Sequence, residues 1–372
     1  MGGFWSKGSE EYGRSYDFHV GFSAPSSALR APLSGLSHRH QPSLDPSRGE
    51  EDTPRPLRSP LTSHTANADP ENFYLNKPFT RDSFAGSLLL EEKSVFIDTH
   101  LHIIDRSALP YPWLSGAPDL DHDFLYETYA TEAGRCGITT VLHMEVDVDP
   151  TAMQAETDHV ARIAKKEGSL IAGAIVSCRP EEEGFAAYLE RQKADPFVKG
   201  FRRVLHVVPD DVSEGTLFRE NIRRIGGSGL TFDLCTLPHQ ASRVTALADL
   251  APDVQFVLDH CGVPDIRSDA FQLWKAGISE IARRPNVVCK VSGVVAYTDA
   301  KTWTAQTLQP YIEHVIASFG WDRVVWGSDW PVCTLGGGLS TWVAATHAML
   351  SGVSETERSK LLFANAQRLW SL

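Results

Sequence analysis

The sequence predicts an α/β protein, a (β/α)8 barrel of about 280 residues behind a long irregular N-terminal extension. Three observations carry this. From Ser94 onward, short apolar runs alternate with helix-length segments eight times. Strands alternating with helices imply a parallel sheet, and eight such units suit a closed barrel. DTHLHI follows the first apolar run where a doubly wound open sheet would carry a GxGxxG phosphate loop.

The elements follow in order. The first strand is expected at 95–101 (VFIDTHL), a β-branched run closed by polar residues. The second lies at 138–144 (ITTVLHM) and the third at 170–176 (LIAGAIV), after the helix-length segments 122–135 and 151–167. The fourth, 198–206 (VKGFRRVLH), follows a helix at 181–194. The fifth, 229–235 (GLTFDLC), and the sixth, 254–260 (VQFVLDH), follow helices at 213–225 and 240–250. The seventh, 286–292 (NVVCKVS), and the eighth, 323–328 (RVVWGS), follow helices at 269–284 and 301–319. Helices at 340–350 and 354–370 close the chain. Each strand is short, apolar and bounded by turn residues, as buried parallel strands are.

Domain organisation follows from composition. Of the 372 residues 42% are hydrophobic, enough for a large core. Residues 94–372 form the barrel. Residues 1–93 are set apart, because 21–70 are crowded with Ser, Pro, Arg and His and show no helix or strand period. Such a segment buries too little apolar surface to offset its ordering entropy and is expected to be largely disordered. The stretch 72–92, with Phe73, Tyr74, Phe79 and Phe84, is suited to docking on the barrel. The start, Met1-Gly2-Gly3-Phe4-Trp5-Ser6, fits a loose N-myristoylation pattern, and the Ser- and Arg-rich region also suits organellar import.

The net charge of -12 argues against nucleic acid as a partner, since phosphate binding wants clustered Lys and Arg. No run of 18 apolar residues exists to span a membrane. The six cysteines are scattered without a CxxC pair, which reads as free thiols in a cytoplasmic setting.

Function in such a barrel belongs at the C-terminal ends of the strands. The first strand ends Asp98-Thr99-His100-Leu101-His102. Strand side chains alternate, so His100 and His102 point the same way and can share a metal. Asp329 follows the eighth strand, which neighbours the first once the barrel closes. It is a candidate ligand and proton acceptor, against the plainer role of a loop cap. His260 and His206 end the sixth and fourth strands. They join the set as catalytic candidates, against the alternative of satisfied core histidines. Glu145, after the second strand beside His143, is a substrate-contact candidate or a plain loop carboxylate. Arg202 and Arg203 alternate faces, so one points inward, and Arg203 is taken as the substrate-binding member. Lys290 reaches the pocket or pairs with a carboxylate. Trp113, in YPWL, forms a pocket wall or packs on the rim. Lys199 begins the fourth strand and belongs at the opposite end. Gly336-Gly337-Gly338 lacks the Lys-Ser or Lys-Thr of a phosphate loop.

Together DTHLHI, YPWL, RRVLH, LDHCGVP, CKVSG and WGSDWP resemble the amidohydrolase-related metal-dependent hydrolases. They are most similar to the sugar-lactone branch, with L-fuconolactonase, L-rhamnonolactonase and sulfomuconolactone hydrolase. The resemblance runs from Ser94 to Leu372. It implies a distorted (β/α)8 barrel and a site built on His100, His102, His206, His260 and Asp329. Metal use varies in that branch, and the HMEVDV segment departs from its usual glutamine-containing one.

The expected chemistry is hydrolysis of a lactone of a sugar acid or a related cyclic ester. Zn²⁺ held by His100, His102 and Asp329 would lower the pKa of its water to about 7. Asp329 would take the proton, and His260 or His206 would polarise the carbonyl or complete the metal shell. The alternatives are decarboxylation of a small unsaturated acid, cyclic amide hydrolysis, and a non-catalytic scaffold.

Overall fold

The computed structural model describes residues 95–268 and 270–372. The extension, with its myristoylation-like start and import-like composition, lies outside the described residues.

The eight expected strands are β1 Phe96–Leu101, β2 Ile138–Met144, β3 Ile171–Ser177, β4 Val198–Val204, β5 Thr231–Cys235, β6 Gln255–Leu258, β7 Val287–Val291 and β8 Val324–Trp326. They form one parallel sheet in the order β1 to β8. Eight helices follow their strands in turn: α1 Tyr126–Arg135, α2 Met153–Ala164, α3 Phe185–Lys193, α4 Thr216–Ile225, α5 Ala241–Leu250, α6 Phe271–Ile281, α7 Ala305–Phe319 and α8 Leu339–Met349. This is the (β/α)8 barrel.

Three strands stop two residues short of expectation. β4, β6 and β8 stop at Val204, Leu258 and Trp326, short of His206, His260 and Ser328. Beyond β6 the chain enters a left-handed turn, with φ of 52° at His260 and 54° at Cys261, which no strand can accommodate. The last helix is also broken. A π turn, Lys360–Ala364, separates Glu355–Ser359 from Asn365–Trp370. There the Asn365 amide donates to the carbonyls of Trp321 and Val324 at 2.7 and 2.8 Å.

Strand alternation divides the apolar residues into two cores. Phe96, Leu101, Phe201, Phe232, Phe256 and Trp326 pack outward against the helices. Ile97, Leu142, Ile175, Val257, Val288 and Val325 pack inward, together with Ala366 and Trp370 of the C-terminal helix. Trp370 donates its indole N–H to Thr231, the first residue of β5, at 3.1 Å. The apolar floor of the barrel is thus sealed at the N-terminal ends of the strands, leaving the opposite end for polar groups.

The seam between β1 and β8 closes beyond the short β8. The backbone N–H of Asp329 donates to the His100 carbonyl at 2.9 Å, and that of His102 donates to the Trp330 carbonyl at 2.8 Å. Asp98 reinforces the seam from within. Its buried carboxylate accepts from the Ser328 N–H at 2.8 Å and the Tyr129 hydroxyl at 2.6 Å. No helix among the described residues is long and apolar enough to cross a membrane.

Candidate active site

A bulge aims the histidines. Asp98 stands opposite Val141 and Leu101 opposite His143, so β1 spends three steps where β2 spends two. Ile97 faces the inner core, and in a regular strand the residue three positions on would face outward. The extra residue restores the inward direction for His100 and His102, while Leu101 joins the outer core.

His100 Nε2 and His102 Nε2 lie 3.2 Å apart. Asp329 Oδ1 is 3.6 Å from the first and 3.4 Å from the second. His102 Nδ1 is 3.0 Å from the Met144 carbonyl, so it donates there and presents the Nε2 lone pair to the pocket. Burial holds the His100 imidazole well below its usual range and lowers His102 to about 3, keeping both rings neutral. Burial also pushes Asp329 up to about 6. Neither Asp329 oxygen has a hydrogen-bond partner among the described residues, although the residue is 1% exposed. Two neutral imidazoles and an unpartnered buried carboxylate suit a divalent metal. A second group, His100, Asp259 and His260, shares one histidine with the first.

A charged layer lies beneath. Lys290, fully buried on β7, holds Asp233 at 2.6 Å and Asp259 at 3.2 Å and reaches His100 Nδ1 at 3.3 Å. Arg202 on β4 holds Glu145 at 2.5 Å, donates to the Glu145 carbonyl at 2.7 Å and approaches His100 Nε2 at 3.3 Å. The inward arginine of the doublet is therefore Arg202. Arg203, the one taken from the sequence, points outward to Glu181 at 2.7 Å, because residues adjacent on a strand face opposite sides.

The other expected residues divide. His260 Nδ1 sits 3.0 Å from the Ser292 hydroxyl and 3.6 Å from Asp329 Oδ2. Gly293 at φ 66° lets these groups meet, since a Cβ there would lie 2.3 Å from Asp329 Oδ2 and 2.7 Å from His260 Nδ1. His206 is not in either metal-type group. Its Nδ1 lies 3.4 Å from the Cys235 carbonyl, and burial lowers its ring to about 4. Glu145 is occupied by Arg202 instead of standing free as a loop carboxylate. Trp113 donates to the Val146 carbonyl at 2.8 Å and packs on the rim with Tyr111, Leu114 and Val148. His143 faces Glu156 of α2 at 3.5 Å, on the outer side of the wall.

Asp233, Asp259, Ser292 and Tyr297 were missed. A signal for two of them was present. Counting alternate positions from Val257 and Val288 places Asp259 and Lys290 inward, and Asp233 falls in line with Thr231 on β5.

These features define a (β/α)8 barrel that gathers two histidines and an aspartate at its mouth, a group able to hold a divalent metal ion. The Amidohydrolase family profile matches residues 97–372, and the chain belongs to that family, an enzyme of the hydrolase class. Among its curated relatives is an L-fucono-1,5-lactonase of Burkholderia multivorans, 27% identical over 74% of this chain and 96% of the relative. Another L-fucono-1,5-lactonase, of Burkholderia ambifaria, is 27% identical over 65% of this chain and 82% of the relative. The crystal structure of an amidohydrolase from Burkholderia multivorans with bound zinc superposes with a TM-score of 0.67 at 24% identity, covering 75% of this chain and all of that one.

Proposed function

We propose that this chain opens a lactone of a sugar acid, or a related neutral cyclic ester, with zinc as its metal. The observation that carries the reading is the triangle of His100, His102 and Asp329, with both Asp329 oxygens unpartnered. The two lactonase relatives and the zinc-containing structural neighbour support it. A divalent ion held by these three residues would supply a water of pKa about 7 and polarisation of a carbonyl.

The chain's own residues supply the rest. Asp329, whose oxygens have no hydrogen-bond partner among the described residues, accepts the proton of the attacking water and returns it to the leaving ring oxygen. His260, fixed by Ser292, flanks Asp329 and keeps its carboxylate turned to the pocket. Lys290 and Asp259 hold His100 from below. Arg202, locked by Glu145, forms the wall where a substrate hydroxyl is received, and His206 lies on the same side.

Charge pairing favours an uncharged substrate. The buried cations among the described residues are Arg179, Arg202, Arg203 and Lys290. They hold Asp147, Glu145, Glu181 and Asp233 at 3.1, 2.5, 2.7 and 2.6 Å. Each of these four is thus already paired with a carboxylate, which supports an uncharged substrate.

The test is a screen of neutral sugar lactones, ring-carboxylated lactones and small unsaturated acids, following acid release and carbon dioxide release separately, with metal analysis of the protein. Acid release from neutral lactones by zinc-containing protein is expected. Carbon dioxide release without lactone opening would sink the reading.

A further inference from the structure

We propose that the phenol of Tyr297 is a catalytic hydrogen-bond donor of this site, bonding the carbonyl oxygen of the substrate as water adds. The inference rests on the lactone-hydrolase reading above.

Tyr297 ends the single turn Val294–Tyr297 that follows β7. The backbone on both sides is clamped. Arg267 donates to the carbonyls of Ala296 and Thr298 at 2.8 and 2.7 Å, and the Thr298 hydroxyl donates to the Val295 carbonyl at 2.6 Å. The ring stands edge-on to His260, with centroids 6.3 Å apart and planes at 71°. His260 in turn lies 3.6 Å from Asp329 Oδ2, so the ring packs against a histidine that borders the candidate proton acceptor.

The hydroxyl has no hydrogen-bond partner among the described residues. The phenols that serve the fold are satisfied. Tyr129 donates to Asp98 at 2.6 Å, Tyr188 to the Ser177 carbonyl at 2.8 Å and Tyr111 to the Ile103 carbonyl at 3.3 Å. A half-buried Tyr hydroxyl ordinarily finds a partner, and one that the described residues leave unbonded is free for a ligand. An ordinary Tyr hydroxyl, with a pKa of about 10, is protonated at neutral pH and can act as a donor.

The step balances without further reagents. Water adds its oxygen to the carbonyl carbon and gives a proton to Asp329. The carbonyl π pair moves to the oxygen, which accepts the Tyr297 hydrogen bond. Collapse re-forms the carbonyl and breaks the ring C–O bond, and the leaving oxygen takes the proton from Asp329. Tyr297 keeps its own proton throughout.

The experiment is Tyr297→Phe in the full metal-containing chain, on the best lactone of the screen. Loss of one oxyanion donor predicts a kcat lower by about 10²–10³-fold with little change in KM, equally from pH 6 to 9. Calorimetric affinity for a cyclic phosphonate of the same ring size falls in step, whereas affinity for the lactam changes less. Tm stays within about 2 °C, since the hydroxyl has no partner in the fold to lose. Unchanged kcat in the variant overturns the proposal while leaving lactone hydrolysis intact. A kcat loss that comes with a large Tm drop overturns it in favour of a structural role. A wild-type protein that opens no lactone overturns the hydrolase reading itself, and this proposal with it.

Discussion

The Asp329 backbone N–H donates to the His100 carbonyl at 2.9 Å, so the bond that closes the barrel also sets the Asp329 carboxylate beside the first histidine. β8 is three residues long and ends before this point. Closure and site assembly are therefore one event, and damage to the seam is expected to appear as lost metal before lost fold.

His102→Ala removes one imidazole of the triangle, and Asp329→Asn removes the only charge in it. Each is expected to lower bound metal below one equivalent and kcat by at least about 10²-fold, the scale of general-base catalysis alone. Elemental analysis beside turnover checks this. Full metal and full activity in Asp329→Asn would remove that residue from the site.

Gly293→Ala tests the close approach at the turn after β7. The added methyl would meet Asp329 Oδ2 at 2.3 Å and His260 Nδ1 at 2.7 Å, at a φ of 66° that disfavours any side chain. The strain is of order 1–3 kcal/mol. A loss of metal affinity larger than the loss of thermal stability is expected. Comparing metal titration with the melting curve decides it, and wild-type affinity would contradict the geometry.

Arg202→Met leaves the Glu145 carboxylate buried without its partner. Breaking such a pair costs about 3–5 kcal/mol, whereas replacing both members is often far milder. Urea denaturation should show Arg202→Met strongly destabilised and Arg202→Met with Glu145→Met partly restored. Arg203→Met, which loses its pairing to Glu181 at the outer side, is expected to leave kcat nearer wild type than Arg202→Met does.

His206 gives a pH signature. Its ring titrates at about 4 in the folded chain, lowered by burial, against about 6.5 unfolded. Between these values the unfolded chain binds a proton that the folded one refuses. The contribution is full above about pH 6.5 and is lost as pH falls toward about 4, with a slope of up to about 1.4 kcal/mol per pH unit. His206→Asn should flatten the acid limb of the stability curve by up to one proton. Parallel curves for the two proteins would refute it.

Much of this was legible in the chain itself. The eight apolar runs marked eight strands because a buried parallel strand has to be apolar on both faces. His100, His102 and Asp329 were visible because polar residues that end such runs fall at the open end of the barrel. His260 was identified, but its strand was drawn two residues too long, since nothing local announces a left-handed turn at a non-glycine residue.

What only the tertiary structure decided was direction. Alternation makes His100 and His102 agree with each other, yet the bulge between Asp98 and Leu101 turns the pair inward, and a bulge arises from pairing with β2. The choice of Arg202 over Arg203 follows the register of β4 in the closed ring. Asp233 and Asp259 join Lys290 and His100 only because β5, β6, β7 and β1 are wrapped about one axis. The sequence by itself determined the strands and marked His100, His102 and Asp329 as candidates at their ends, because local hydrophobicity and period are properties of short segments. Which charges face those residues was decided by barrel closure, which joins segments far apart in the chain, as in the bond from the Ser328 N–H to the Asp98 carboxylate across 230 positions.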